Sequence, residues 1–273
     1  MINVIGLGSA GVAISEKFKQ WAPYRVHQLD VDSQYPVLSL DNHEQYENLN
    51  PLDLEIQNEE VLFITSCGNV SGLSLRLLQQ LKDKQNKIRV VYIKPNETYL
   101  APNKRLFNKI IYNVLQEYTR SGIFDEMYIF DNNNLKNTLP ASPIAQHFNL
   151  INYQISYILH MNFLSENLKP VYSNAFIEKE SIHRISTFSV LSLDKGQEQC
   201  YLGNMKTTRR KYVFNLPKKE LDNGNLLSDI EKMIKKLTED EYVINMFSIF
   251  ETAPNYDIAY NFCKLSSNSI IKV

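Results

Sequence analysis

An apolar strand, a glycine-bearing loop and a helix follow one another twice in the first third of the chain, in "MINVIGLGSAGVAISEKF" and in "VLFITSCGNVSGLSLRLLQQL". Such a loop delivers an anion to a helix N-terminus, where unpaired backbone N–H groups and the helix dipole favour negative charge. The chain has only nine glycines in 273 residues, yet Gly6, Gly8, Gly11, Gly68 and Gly72 all fall in these two loops. Glycine used so sparingly is placed for backbone freedom or for the close approach of a ligand.

The pattern around the loops sets the fold class. "INVI", "YRVHQLDVD", "EVLFI", "IRVVYI" and "EMYIF" read as strands. Between them, helices are predicted from about Ser71 to Lys84, with Leu73, Leu77 and Leu81 on one face, and from near Pro102, with Leu106, Ile110, Val114 and Tyr118 as its apolar stripe. Residues 33 to 60 carry weak periodicity and read as loop. Strands alternating with helices predict an α/β, doubly wound parallel sheet whose ligand site lies at the carboxyl ends of the strands. Ser142 and Pro143 are expected to open a long helix ending near Phe163. Its apolar stripe would be Ile144, Phe148, Ile151, Ile155 and Ile158, and its polar stripe Asn149, Asn152, Ser156 and His160. Beyond it, "RISTFSVLSL", "RKYVFNL", "EYVINMFSIF" and "DIAYNFCKL" with one helix among them predict a second, smaller α/β unit.

Composition narrows the function classes. A net charge of −1 argues against a protein that is basic overall and built to coat nucleic acid. The stretch 206–236, with Arg209, Arg210, Lys211 and Lys232, could meet an acidic partner or nucleic acid, although interspersed acids favour a solvated face. Three separated cysteines, Cys67, Cys200 and Cys263, suggest neither a disulfide framework nor a zinc site. The histidines lack metal-ligand spacing. With no apolar run of membrane-span length and no signal-peptide pattern, a cytoplasmic location is expected.

Taken alone, Gly6, Gly8 and Gly11 match GxGxxG after a strand, and Asp30 lies nineteen residues beyond Gly11, where a dinucleotide domain has its ribose-binding acid. That reading leads to an NAD(P)-dependent oxidoreductase. The second loop argues otherwise: a dinucleotide has one pyrophosphate and needs one loop, whereas backbone amides and Ser71 at a second helix start suit a triphosphate.

With both loops in view, the sequence resembles the tubulin/FtsZ family over nearly its whole length. "VIGLGSAGVAI" looks like the first phosphate loop, which implies nucleotide contacts from Gly6, Gly8, Ser9, Ala10 and Gly11. "LDVDSQ" resembles the NTDAQ-type stretch, with Asp32 and Gln34 on matching positions. "FITSCGNVSG" stands where the family has its glycine-rich signature, implying that Gly68, Asn69, Val70, Ser71 and Gly72 surround the phosphates. Here Asn69 replaces the usual threonine and Val70 a glycine. "VYIKP" resembles the strand and proline that follow. "YIFDNNNL" resembles the IPNDRLL-type loop and implies a role for Asn132. "HFNLIN" resembles the AFKAAN-type turn of the central helix and puts Asn152 at the guanine-reading position.

The family completes GTP hydrolysis between subunits with an acidic loop, NxDFxD, that enters the neighbour's site. "SNAFIEKE" is the best match, with Glu178 on the second acid and Ala175 in place of the first, which implies slow or absent hydrolysis. The GAGANP-like loop and the ribose-side FEG are missing. The resemblance thus implies a GTP/GDP-binding domain at 1–140, a connecting helix at 141–165 and a second domain at 166–273. Mg2+ would arrive with the nucleotide, and the partner would be the protein itself in a head-to-tail homopolymer. A tubulin-fold interaction protein that no longer binds nucleotide is the other alternative.

Overall fold

The computed structural model describes residues 1–30, 54–68, 70, 72–138, 143–175, 182–193, 195–238, 242–252 and 261–271, with backbone alone at 144 and 145. The elements run β1 (Ile2–Leu7), α1 (Gly8–Lys17), β2 (Tyr24–Leu29), β3 (Glu60–Ser66), α2 (Leu73–Asp83), β4 (Lys87–Lys94), α3 (Pro102–Arg120), β5 (Glu126–Asp131), α4 (Asn132–Thr138) and α5 (Ile144–Asn167). There follow β6 (Tyr172–Ser173), β7 (Ile185–Ser192), β8 (Gln197–Cys200), β9 (Arg209–Leu216), α6 (Lys218–Leu221), α7 (Leu226–Leu237), β10 (Ile244–Glu251) and β11 (Phe262–Ser267).

One sheet runs through the described residues in the order β2-β1-β3-β4-β5-β7-β11-β9-β10-β6, with β8 paired to β7. The first five strands are parallel, as the alternation of strands and helices requires. Side chains alternate across this part. Val4 faces Ile14 of α1, Phe18 just beyond it, and Ile151 and Ile155 of α5, while Ile5 and Leu7 join Leu77 and Leu81 of α2 and Ile111 and Leu115 of α3. Helices therefore cover both faces, which is the doubly wound arrangement. In the second part β9, α7 and β10 form a parallel crossover, and Ile230 and Ile234 of α7 pack on Tyr212, Phe214 and Phe247.

Two helical stripes differ from expectation. On α3, Leu106, Ile110 and Tyr118 are exposed, and the buried face is Asn108, Ile111, Tyr112, Leu115, Gln116 and Thr119. Residues spaced by four precess about 40° per step around a helix of 3.6 residues per turn, so that stripe winds off the buried face. The buried polar groups are satisfied instead. Gln116 brackets the backbone of Ile271, accepting from its N–H at 2.8 Å and donating to its carbonyl at 3.2 Å. On α5, Phe148 is exposed, while Ser156 and His160 of the expected polar stripe are buried. The helix also starts one residue later and ends later than expected, at Asn167.

An ionic cluster with a largely buried Lys264–Glu126 pair at its centre ties α5 to both parts of the sheet. Lys264 of β11 lies 2.7 Å from Glu126 of β5 and 3.7 Å from Glu166 of α5, and Arg89 of β4 reaches Glu166 at 3.0 Å. Ser186 and Tyr128 donate further hydrogen bonds to Glu126, each at 2.8 Å. Burial raises the pKa of the Glu126 carboxyl, but Lys264 and Arg89 outweigh it and hold the group below its ordinary value. Buried charges are tolerated when paired this completely.

Candidate functional site

The strand order reverses between β1 and β3. After β1 the chain adds β2 on one side, then returns to add β3, β4 and β5 on the other. Sheets of this kind take their ligands at the carboxyl ends of the strands at such a switch point. Both glycine loops lie there, because each leaves one of these two neighbouring strands. α1 is on one face of the sheet and α2 on the other, so two helix N-termini flank the carboxyl ends of β1 and β3. Neither start is capped by a side chain (Leu7 and Gly72 hold the cap positions) and neither first turn holds an acid. Apart from the Leu73 N–H, which donates to the Val70 carbonyl at 3.0 Å, the first-turn N–H groups of the two helices are therefore suited to an anion.

The glycines of the first loop divide by role. A Cβ on Gly6 would collide with the Gly11 carbonyl and the Ser15 hydroxyl, and one on Gly11 would come 2.5 Å from the Ile64 carbonyl. These two let α1 press against β1 and β3. Gly8 has a φ of +72°, which disfavours any side chain, and its missing Cβ faces Val70 Cγ2 at 3.0 Å. Val70 is buried with Leu7, Leu73 and Leu77. The two loops thus touch through Gly8 and Val70. Gly68, by contrast, is exposed, with open space where a side chain would be. Beside it, burial raises the Cys67 thiol pKa, and Cys67 Sγ approaches the Lys104 carbonyl at 3.7 Å.

Asn132 is half-buried at the first position of α4, two strands from β3, roughly 10 Å along the sheet edge. Next to it Asp131 accepts the Asn133 N–H at 2.8 Å and faces Lys94 at 3.8 Å. Asn152 is half-buried on α5, the helix that packs on α1, and one turn earlier Asn149 accepts a 2.5 Å hydrogen bond from Lys17 of α1. Farther down that face His160 stacks on Trp21, with ring centroids 4.4 Å apart, and its Nδ1 lies 2.9 Å from the Tyr24 hydroxyl. Burial lowers its pKa to about 4, so the ring is neutral and serves packing.

Asp32, Gln34, Asn69, Ser71 and Glu178 lie outside the described residues. The segment leading to Glu178 is held as far as Ala175. Asn174 accepts the Phe247 N–H at 2.7 Å, and the Ala175 N–H donates to Ser173 Oγ at 3.0 Å. It follows the end of α5, where Glu166 meets Arg89 near the amino end of β4. That is the opposite end of the parallel strands from Gly8 and Gly68.

Sequence reasoning missed the ionic cluster. Its signal was a lysine amid the apolar and small residues of "NFCKLSS", a position that requires a buried partner. The basic stretch divides as well. Arg210 is drawn inward onto Glu198 at 2.9 Å, while Lys232 pairs with Asp229 at the surface. Among the described residues no group of three histidine, cysteine or acidic side chains could hold a metal ion, and no helix is long and apolar enough to cross a membrane.

No family model and no curated protein matches the sequence. Solved structures match its fold. An FtsZ dimer from M. jannaschii aligns over 97% of this chain and 88% of its own, with a TM-score of 0.66 at 10% identity. A GDP-form protofilament of TubZ from Bacillus thuringiensis serovar israelensis aligns over 99% and 86%, with a TM-score of 0.66 at 11% identity. A GTPγS-form protofilament of the same protein aligns over 99% and 87%, with a TM-score of 0.65 at 12% identity. Coverage this complete, together with the switch point and the long helix between the two parts of the sheet, shows that the chain has the tubulin/FtsZ-like fold.

Proposed function

We propose that this protein binds GTP or GDP at the β1/β3 switch point and assembles head to tail into filaments, with slow or absent GTP hydrolysis. The observation that carries the reading is the pair of uncapped helix starts at the carboxyl ends of two neighbouring strands. They supply two sets of backbone donors, as a polyphosphate needs. Gly6, Gly8, Ser9, Ala10 and Gly11 form one side and Gly68, Asn69, Val70, Ser71 and Gly72 the other. Asn132 approaches from the flank and Asn152 reads the base, while Asp32 and Gln34 are assigned contacts from their match to the family's second loop. A magnesium ion would accompany the phosphates. Residues 1–140 make the nucleotide domain, 141–165 the connecting helix and 166–273 the second domain.

Self-assembly is supported by the opposed ends of the molecule. The segment that leads towards Glu178, described as far as Ala175, follows the end of α5, which lies opposite the glycine loops, and this favours a meeting of the two between copies. Such a heterologous contact does not close and yields filaments. Two of the similar TubZ structures are themselves protofilaments. Mass spectrometry of the small molecule released from purified protein, followed by electron microscopy with GTP and magnesium, tests both parts. Guanine nucleotide and filaments are expected, and a nucleotide-free monomer overturns the reading.

One observation favours the rival reading of a tubulin-fold interaction protein without nucleotide. Val70 stands where the family has glycine, and its side chain is buried against Gly8 between the two loops.

A further inference from the structure

At the amino ends of β1, β3 and β4 there is a cleft of about 840 Å3, floored by Ile2, Tyr24, Phe163 and Leu164 and edged by Glu60 and Lys87. At the opposite end of β4, a short turn presents Tyr99 with 83% of its surface exposed. We propose that in the assembled protein the Tyr99 turn of one copy seats in this cleft of the next. The inference rests on head-to-tail assembly and names the surfaces that carry it.

Three observations support the pairing. The first is direction. β4 begins at Lys87 in the cleft and ends at Lys94, just before the turn, and β1 and β3 run parallel to it. A copy translated along these strands brings its cleft over the turn of the copy before it.

The second is preorganisation. The turn is held at every residue: the Thr98 N–H donates to Asn96 Oδ1 at 3.0 Å, Arg105 Nε donates to the Leu100 carbonyl at 2.9 Å, and Asn108 donates to Glu97 at 3.3 Å. The Tyr99 ring nevertheless projects into solvent. A tyrosine on a rigid support loses little freedom on binding, and buried tyrosines are frequent energetic anchors of interfaces.

The third is charge. The first turn of α3, beside Tyr99, carries Lys104 and Arg105, both exposed, against the single acid of the turn, Glu97, which accepts from Asn108. The mouth of the cleft and its adjoining recess carry Glu59, Glu60 and Asp125 against Lys87, while Arg89 is taken up by Glu166. The mouth is acidic on balance and the incoming face basic, which aligns the copies in one polarity.

The critical concentration for assembly, measured by sedimentation in GTP, in GDP and without nucleotide, tests this. Tyr99→Ala should raise it about tenfold or more, whereas Tyr118→Ala, on the outer side of α3, should leave it unchanged. Lys104→Glu and Glu60→Lys should each raise it severalfold, and the double variant should recover most of the loss. Melting curves should show all variants folded, since each side chain is exposed. If the parent assembles and Tyr99→Ala assembles equally well, this contact is wrong and the reading of assembly stands. If the parent stays monomeric in all three conditions, both fall.

Discussion

Val70 lies against Gly8, its Cγ2 3.0 Å from where a Gly8 Cβ would be, so the two phosphate-type loops meet through a side chain where a glycine would have left a gap. Two substitutions separate the consequences. Gly8→Val forces a branched residue into left-handed backbone and against Val70, and should cost about 1–3 kcal/mol of stability together with nucleotide binding. Val70→Ala removes two methyl groups from a buried contact, costing about 1.5 kcal/mol by area. Because it widens the space between the loops, it should tighten GTP binding. Calorimetric titration of the folded Val70→Ala protein decides between the readings: tighter binding supports the cradle, and none in either protein supports the interaction protein.

Base recognition is the second expectation. Asn152 is half-buried one turn beyond the Lys17–Asn149 hydrogen bond that joins α1 to α5. An amide there can pair with the purine edge, and losing a polar contact in a buried site costs about 1–3 kcal/mol. Asn152→Ala should reduce GTP affinity by that amount and narrow the preference over ATP. Equal affinity of the parent for both nucleotides would remove Asn152 from the site.

His160 makes acid sensitivity calculable. Its pKa falls from 6.5 unfolded to about 4 folded because the ring is buried against Trp21. Between these values the unfolded chain binds a proton that the folded one does not. Stability from this group is therefore complete above pH 6.5 and declines as pH falls towards 4, by up to about 3 kcal/mol. Urea midpoints measured from pH 7 to pH 4 should show this slope, and His160→Phe should flatten it while losing the Tyr24 hydrogen bond.

The ionic cluster should respond asymmetrically. Lys264→Met leaves Glu126 buried without its main counter-ion and should destabilise by about 3–5 kcal/mol, whereas Lys264→Met with Glu126→Met removes both charges and should cost much less. A Glu126 pKa held below the ordinary value also means that the parent keeps this stability above the normal carboxylate range and loses it as pH falls through the lowered one. Denaturant titration of the three proteins provides the comparison.

What was legible in the sequence follows from where the physics is local. β1, β3, β4 and β5 were readable because strands buried on both faces must be continuous apolar runs. α2 was readable because Leu73, Leu77 and Leu81 stay on the sheet side over only three turns. α3 was readable as a helix from near Pro102, but its buried face was not, because that face includes Asn108, Gln116 and Thr119. Their partners are Tyr92 and Glu97 for the first, the Ile271 backbone for the second and the Leu115 carbonyl for the third. Nothing near Gln116 in the sequence announces a partner 155 residues away. The site divides in the same manner. The loops could be seen from their glycines, but that Gly6 and Gly11 serve helix packing, while Gly8 meets Val70, depends on how β1 and β3 lie side by side.

Assembly should be easier to detect than hydrolysis. The segment after α5 is anchored to β10 by the pairing of β6 with Ser248 and Ile249 and by Asn174 Oδ1, which accepts from the Phe247 N–H at 2.7 Å, so its course as far as Ala175 is fixed whatever acids follow. Contact between copies then depends on that geometry, whereas turnover depends on carboxylates orienting a water. With Ala175 in place of the first acid, Glu178 alone would hold the water, and poor orientation lowers rate without lowering contact. Phosphate release beside light scattering should show filaments with turnover that is slow or undetectable. Glu178→Ala should abolish any residue of turnover and leave or lengthen the filaments. Ala175→Asp should raise turnover, because the Ala175 N–H is already held by Ser173 Oγ at 3.0 Å and a carboxylate there would start from a fixed backbone. Rapid phosphate release by Glu178→Ala would instead mean that the water is positioned from elsewhere in the chain.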